Sequence, residues 1–159
     1  MKVAHALLSA FVLVSAQGTA EPKQQGAGEQ AIDLKSVPKA VIIEFKRAYP
    51  KATIKGCSKE TGKGWTRYEI ESRDGSVTRD ILYDPDGTAI VIEESVPYSA
   101  LPQSVRDAIK KAYPGGKPTK SEKIVRSDKV QYEVLVRTGN EVQELVYEPD
   151  GTLAGKEMK

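Results

Sequence analysis

The sequence predicts an α+β fold made twice over: a helix plus a three- to four-stranded antiparallel sheet, tandemly duplicated. Both copies are expected to join into one continuous sheet with their helices on one face. Three observations carry this. "YDPDGT" at Tyr83–Thr88 returns as "YEPDGT" at Tyr147–Thr152. Sliding the chain against itself by 64 residues aligns Val37 through Glu93 without a gap, and Pro38/Pro102, Tyr49/Tyr113, Tyr68/Tyr132 and Gly75/Gly139 are identical. Within each copy a period of about 3.6 gives way to a period of 2, the change from helix to strand.

The elements follow in order. Residues 1–20 carry Lys2, an apolar run from Ala6 to Val14 and then small residues. That is the layout of a secretory signal peptide, with cleavage after Ala16 or Ala20, and the run is too short for a membrane-spanning helix of about 20 residues. Residues 21–36, "EPKQQGAGEQAIDLKS", are polar and read as a flexible leader. The first repeat occupies residues 37–93. Val37, Val41, Phe45, Ala48 and Tyr49 form a helical stripe, entered at Pro38 and stopped by Tyr49–Pro50. Strands follow, punctuated by "RDGS" and "DPDG". Residues 94–100 connect the copies, and residues 101–159 repeat the plan. There the stripe is Leu101, Val105, Ile109, Ala112 and Tyr113, and Tyr132, Val134 and Val136 alternate with polar neighbours.

Composition narrows the function. The full chain has 24 basic and 22 acidic residues, and removal of the leader peptide takes away Lys2 alone. A near-neutral balance without a basic stripe gives no case for nucleic acid, and no polybasic run favours a membrane after signal cleavage. The single histidine, His5, lies in the signal peptide. The exported chain therefore lacks the base of Ser-His-Asp systems and the usual zinc ligand. Cys57 is the lone cysteine; it reads as a small buried hydrophobe, with an intermolecular disulfide as the alternative. An acid pair such as Glu69 with Glu133 is the remaining catalytic option, and alternating carboxylates on strands are more often surface residues. The chain reads as non-enzymatic, with neither cofactor nor metal.

The repeated turn invites a calcium reading, because Asp84, Asp86 and Glu93, or Glu148, Asp150 and Glu157, overlay the later part of a calcium loop. The first ligand position of such a loop needs oxygen, and here it is Leu82 or Val146. Proline, aspartate and a left-handed glycine instead specify a hairpin turn.

A helix opening on "VP" or "LP" and closing on "AYP", a strand with "YEI" or "YEV" and a D/E-x-D-G turn, all in tandem, resemble the PepSY-like, β-lactamase-inhibitor-like proteins. The likeness covers residues 37–159. It implies export to the bacterial envelope (periplasmic or secreted), a curved sheet, and a role in binding another envelope or secreted protein. The narrower form of that role is inhibition of a protease or other envelope enzyme. The alternative is a small-ligand, peptide-binding or sensory module. The chain departs from the inhibitor that lends the family its name in having no possible internal disulfide. For a binder, the sheet face away from the helices is the expected contact surface: Trp65, Arg67, Glu69 and Glu71 in the first copy, Gln131, Glu133, Leu135 and Arg137 in the second. Ile42 and Ile43 stand where the second helix has Arg106 and Asp107, so they need cover from the leader, the connection or a second contact.

Overall fold

Pro38 and Pro102 hold the backbone extended at ψ 140° and 144°, and a helix begins immediately after each. These are α1 (Lys39–Ala48) and α2 (Gln103–Ala112). Each ends where a tyrosine leaves the helical region, at φ −130° for Tyr49 and −128° for Tyr113, ahead of a proline or Pro-Gly-Gly that cannot continue it. The computed structural model describes residues 28–159. The expected signal peptide, both expected cleavage positions and residues 21–27 of the expected leader lie outside the described residues.

Nine strands form one antiparallel sheet whose spatial order is the chain order. They are β1 (Gly28–Ala31), β2 (Thr53–Gly62), β3 (Trp65–Asp74), β4 (Val77–Tyr83), β5 (Ala89–Ser95), β6 (Lys117–Arg126), β7 (Lys129–Thr138), β8 (Glu141–Tyr147) and β9 (Leu153–Met158). The starts of α2 and of β6 to β9 each follow those of α1 and β2 to β5 by 64 residues. Irregularities in the ladders fall at Ile54/Gly56 and Pro118/Lys120, and at Leu82/Tyr83 and Val146/Tyr147. Pairing of β5 with β6 makes the sheet continuous across the middle of the chain.

Each helix covers its own set of strands. Val41 and Phe45 are buried against Cys57, Ile70, Ile81 and Tyr83. Val105 and Ile109 are buried against Val134, Val136, Leu145 and Tyr147. Both pairs of helical side chains are at most 2% exposed, and full burial of each contributes roughly 1.5–3 kcal/mol. Cys57 is free and buried in the first of these cores.

The repeated turn closes a hairpin, as its residues require. Asp84 accepts from the Gly87 N–H and donates its own N–H to the Thr88 carbonyl, both at 2.9 Å, and the Asp86 carboxylate accepts from the Thr88 N–H at 2.9 Å. Gly87 and Gly151 lie at φ +93° and +90°. A second constraint acts on them. A Cβ on Gly87 would meet the Ala40 carbonyl oxygen of α1 at 2.9 Å, and one on Gly151 would meet that of Ser104 in α2 at 2.7 Å. The turn tucks under the start of the helix, so glycine serves both the backbone angle and the contact.

Three expectations are corrected. Residues 28–36 of the expected flexible leader form β1 and a 3-10 turn at Leu34–Ser36, because β2 has a free edge for β1 to pair with and Ile32 packs on the first core. The connection expected at 94–100 starts later, since β5 runs through Ser95. Ala48 and Ala112 are exposed rather than part of the buried stripe; the last turn of each helix buries Phe45 or Ile109 instead, and Ala108 packs in the second core.

Candidate binding face

The period of two sorts every strand. On β3, Tyr68, Ile70 and Ser72 turn toward the helices, so Trp65, Arg67, Glu69 and Glu71 occupy the other face. On β7, Gln131, Glu133, Leu135 and Arg137 occupy that same face. Cross-strand register places their neighbours. One row runs Gly56, Glu71, Asp80, Glu93, Ile124 across β2 to β6, and the next runs Ser58, Glu69, Leu82, Val91, Arg126. Further along, Glu122 opposes Glu133, and Lys120, Leu135, Glu144 and Glu157 form a row across β6 to β9.

The face is thus a small apolar centre of Leu82, Val91 and Ile124, each buried, bordered by carboxylates. Three of these carboxylates, Glu71, Asp80 and Glu93, oppose one another directly, an arrangement that repels when ionised. The protein answers by holding protons. Burial, with added repulsion from neighbouring carboxylates, pushes Glu69 up to about 8, Glu133 to about 8, Glu93 to about 7 and Asp80 to about 6. Lysines neutralise others: Lys120 Nζ lies 2.7 Å from Glu122, and Lys159 Nζ lies 2.9 Å from Glu144 and 3.6 Å from Glu157.

Trp65 ends the row of side chains beside the β2–β3 hairpin. It lies across Gly62, where a Cβ would meet its ring at 2.3 Å. The Arg67 guanidinium stacks over the same ring at 5.0 Å and reaches Asp84 at 3.3 Å. Trp65 nonetheless keeps 38% of its surface exposed. The pair is positioned before any partner arrives, a cation–π contact on a rigid hairpin.

The sequence-derived residues therefore fall on one face in their expected parity but differ in exposure. Glu69 is only 7% exposed, whereas an ordinary solvated position was the competing reading for it. Glu71, Glu133 and Leu135 are half-buried and Arg137 is exposed. Gln131 donates to Glu148 at 2.9 Å, away from the row of carboxylates. Glu69 and Glu133 sit on strands four apart, roughly 19 Å at the usual strand spacing, so they do not form a catalytic pair. Among the described residues, no cluster of acidic, histidine or cysteine side chains could hold a metal ion. Ile42 packs against the first core, while Ile43 stays 62% exposed.

Sequence reading missed Asp80, Glu93, Glu122 and Glu144, which share the face. Their alternation with Ile81, Ile92, Lys123 and Leu145 was the available signal. What places them beside Glu69 and Glu133 is register, which only strand pairing supplies.

The model of the family described as "Putative beta-lactamase-inhibitor-like, PepSY-like" matches residues 23–91 and 67–154. The chain belongs to this PepSY-like family. Solved structures that share its fold include the following three. One, described as a "putative periplasmic" protein from Bacteroides eggerthii, is 16% identical with a TM-score of 0.65, over 77% of this chain and 88% of that one. A protein of the DUF2874 family from Bacteroides uniformis is 16% identical with a TM-score of 0.63, over 76% and 88%. A BLIP-like protein from Bacteroides fragilis is 20% identical with a TM-score of 0.59, over 76% and 86%. No curated protein matches the sequence. No helix among the described residues of this PepSY-like chain is long and apolar enough to cross a membrane.

Proposed function

We propose that this PepSY-like chain is an exported, non-enzymatic protein-binding module. It arose by tandem duplication of a helix-plus-sheet unit into one curved sheet, and it acts through the face its helices leave uncovered. The observation that carries this is the Trp65–Arg67 pair, stacked and exposed at the rim of a sheet face whose centre is apolar. Tryptophan and arginine on a rigid element are the residue types enriched among interface hot spots. The partner is another envelope or secreted protein, and inhibition of a protease or other envelope enzyme is the narrower form of the role. The test is affinity capture from an envelope extract of the source cell with wild type and with Trp65→Ala/Arg67→Ala. A protein retained by wild type and lost by the variant supports the face; equal retention moves the contact elsewhere, with exposed Ile43 next.

A second reading, a small-ligand or peptide site, draws on a cleft of about 480 Å³ between the two halves, lined by residues including Ser95, Tyr98, Lys120 and Ser121. Substitution of Tyr98 by Ala separates the two, since it alters the cleft and leaves the Trp65 rim intact.

A further inference from the structure

The two halves of the open face are neutralised differently. In the second half, Lys120 is paired with Glu122, and Lys159 with Glu144 and Glu157. At the 64-residue spacing, the first half has Gly56 in place of Lys120 and Ser95 in place of Lys159. Glu69, Asp80 and Glu93 correspond to Glu133, Glu144 and Glu157, while Glu122, the carboxylate that Lys120 pairs with, corresponds to Ser58. Both lysines that balance the second half are thus missing from the first.

Glu69 is where the shortage is sharpest. The charges that act on it come from Glu29 on β1, Glu60 on β2, Glu71 on β3 and Asp80 on β4, all carboxylates. Glu93 and Asp80, by contrast, each feel Lys120, and Glu93 also feels Arg126. Arg67, two residues along β3, is engaged with the Trp65 ring and Asp84. Moreover, Glu69 Oε2 and the Oγ of Ser58, its cross-strand partner, are both buried and make no hydrogen bond with the protein. These side chains are 7% and 5% exposed. A buried carboxylate oxygen and a buried hydroxyl side by side present acceptors to an incoming N–H group.

We infer that the Glu69–Ser58 site takes a lysine or arginine side chain from the partner protein, which supplies the cation that Lys120 and Lys159 provide to the other half. This rests on the protein-binding reading of the face and names the chemistry of its partner. The ammonium or guanidinium would donate to Glu69 Oε2 and Ser58 Oγ, with Glu71 and Asp80 around it. Because Glu69 holds a proton up to about pH 8, binding releases that proton. Affinity should then rise by about tenfold per pH unit below pH 8, one proton being linked to one binding event.

The probe is fluorescein-labelled hexalysine, with its fully acetylated form as control, followed by anisotropy at low salt from pH 6 to 9. Hexalysine should bind wild type with the stated pH dependence and the acetylated peptide should not bind. Gly56→Lys/Ser95→Lys restores the lysines of the second half, and should weaken hexalysine at least tenfold. A Cβ on Gly56 meets only the end of the Glu71 side chain, at 3.0 Å, which can move. Glu69→Gln, which changes no backbone contact, should remove most of the pH dependence. Asn140→Lys adds the same kind of charge at a distant hairpin tip and should leave binding within twofold. Equal binding by wild type, the double variant and Glu69→Gln overturns the site, as does an equal loss in Asn140→Lys. If hexalysine ignores Glu69 while capture still depends on Trp65 and Arg67, the cation site falls and the binding face stands. If hexalysine follows Glu69 while capture ignores Trp65 and Arg67, the cation site stands and the wider face falls.

Discussion

Replacing Glu69 with Gln keeps the shape of the side chain and removes its charge. In the folded protein its carboxyl titrates at about 8 rather than 4.5, first because burial strips its water and then because Asp80, Glu29, Glu60 and Glu71 repel the anion. The unfolded chain loses this proton near pH 4.5, whereas the folded chain keeps it. Between those values the folded state binds more protons, so its stability falls as pH rises, and the loss is complete above about pH 8. The interval from 4.5 to about 8 corresponds to roughly 5 kcal/mol at most; relaxation of neighbours reduces it. Gln carries no such loss. Thermal unfolding followed by circular dichroism from pH 5 to 9 should show both proteins alike at pH 5. By pH 9 the variant should be ahead by at most about 10–20 °C, at about 2–4 °C per kcal/mol. A residual slope should persist in the variant, because Glu133, Glu93 and Asp80 are also raised. A difference in Tm that stays constant across pH would refute the assignment of a buried, protonated Glu69.

Other outcomes follow from single contacts. Gly87→Ala combines φ +93° with a 2.9 Å approach to the Ala40 carbonyl, and should cost about 1–3 kcal/mol in urea unfolding. Gly75→Ala, at φ +60° with no atom within 4 Å, should cost about 1 kcal/mol by the same measurement. Phe45→Ala should lose about 3–5 kcal/mol, since Phe45 is 1% exposed in the first core. Ile43→Ala, at 62% exposure, should stay within about 0.5 kcal/mol. The Cys57 thiol is pushed up by burial and then by Glu71, so it should react with a disulfide reagent only as the protein unfolds. A reaction with the native protein as fast as with a model thiol would show that this core opens.

Much of the fold was legible because local rules carry it. Pro38 and Pro102 start the helices, Tyr49–Pro50 stops the first, and the D/E-x-D-G turns make hairpins, each through contacts within a few residues. The lapse at residues 28–36 has an equally physical cause. β1 is polar and exposed, so its composition resembles a leader, and only the unpaired edge of β2 makes it a strand. The candidate face was legible in parity and illegible in burial. Trp65, Arg67, Glu69 and Glu71 alternate with Tyr68 and Ile70 in plain sight. Whether Glu69 is solvated depends on Glu29, Glu60 and Asp80, which arrive from three other strands.

By itself, then, the sequence determined the helix and hairpin positions, the 64-residue recurrence and the face on which the β3 and β7 residues lie. These depend on backbone sterics and on period, which a single chain segment already expresses. Only the tertiary structure decided which carboxylates oppose one another, which oxygens are left without a partner, and which half of the face holds its own lysines in place. Electrostatics in a sheet is a property of neighbours across strands, and on this face those neighbours are 9 to 42 residues apart in the chain, as with Glu60–Glu69 and Asp80–Glu122.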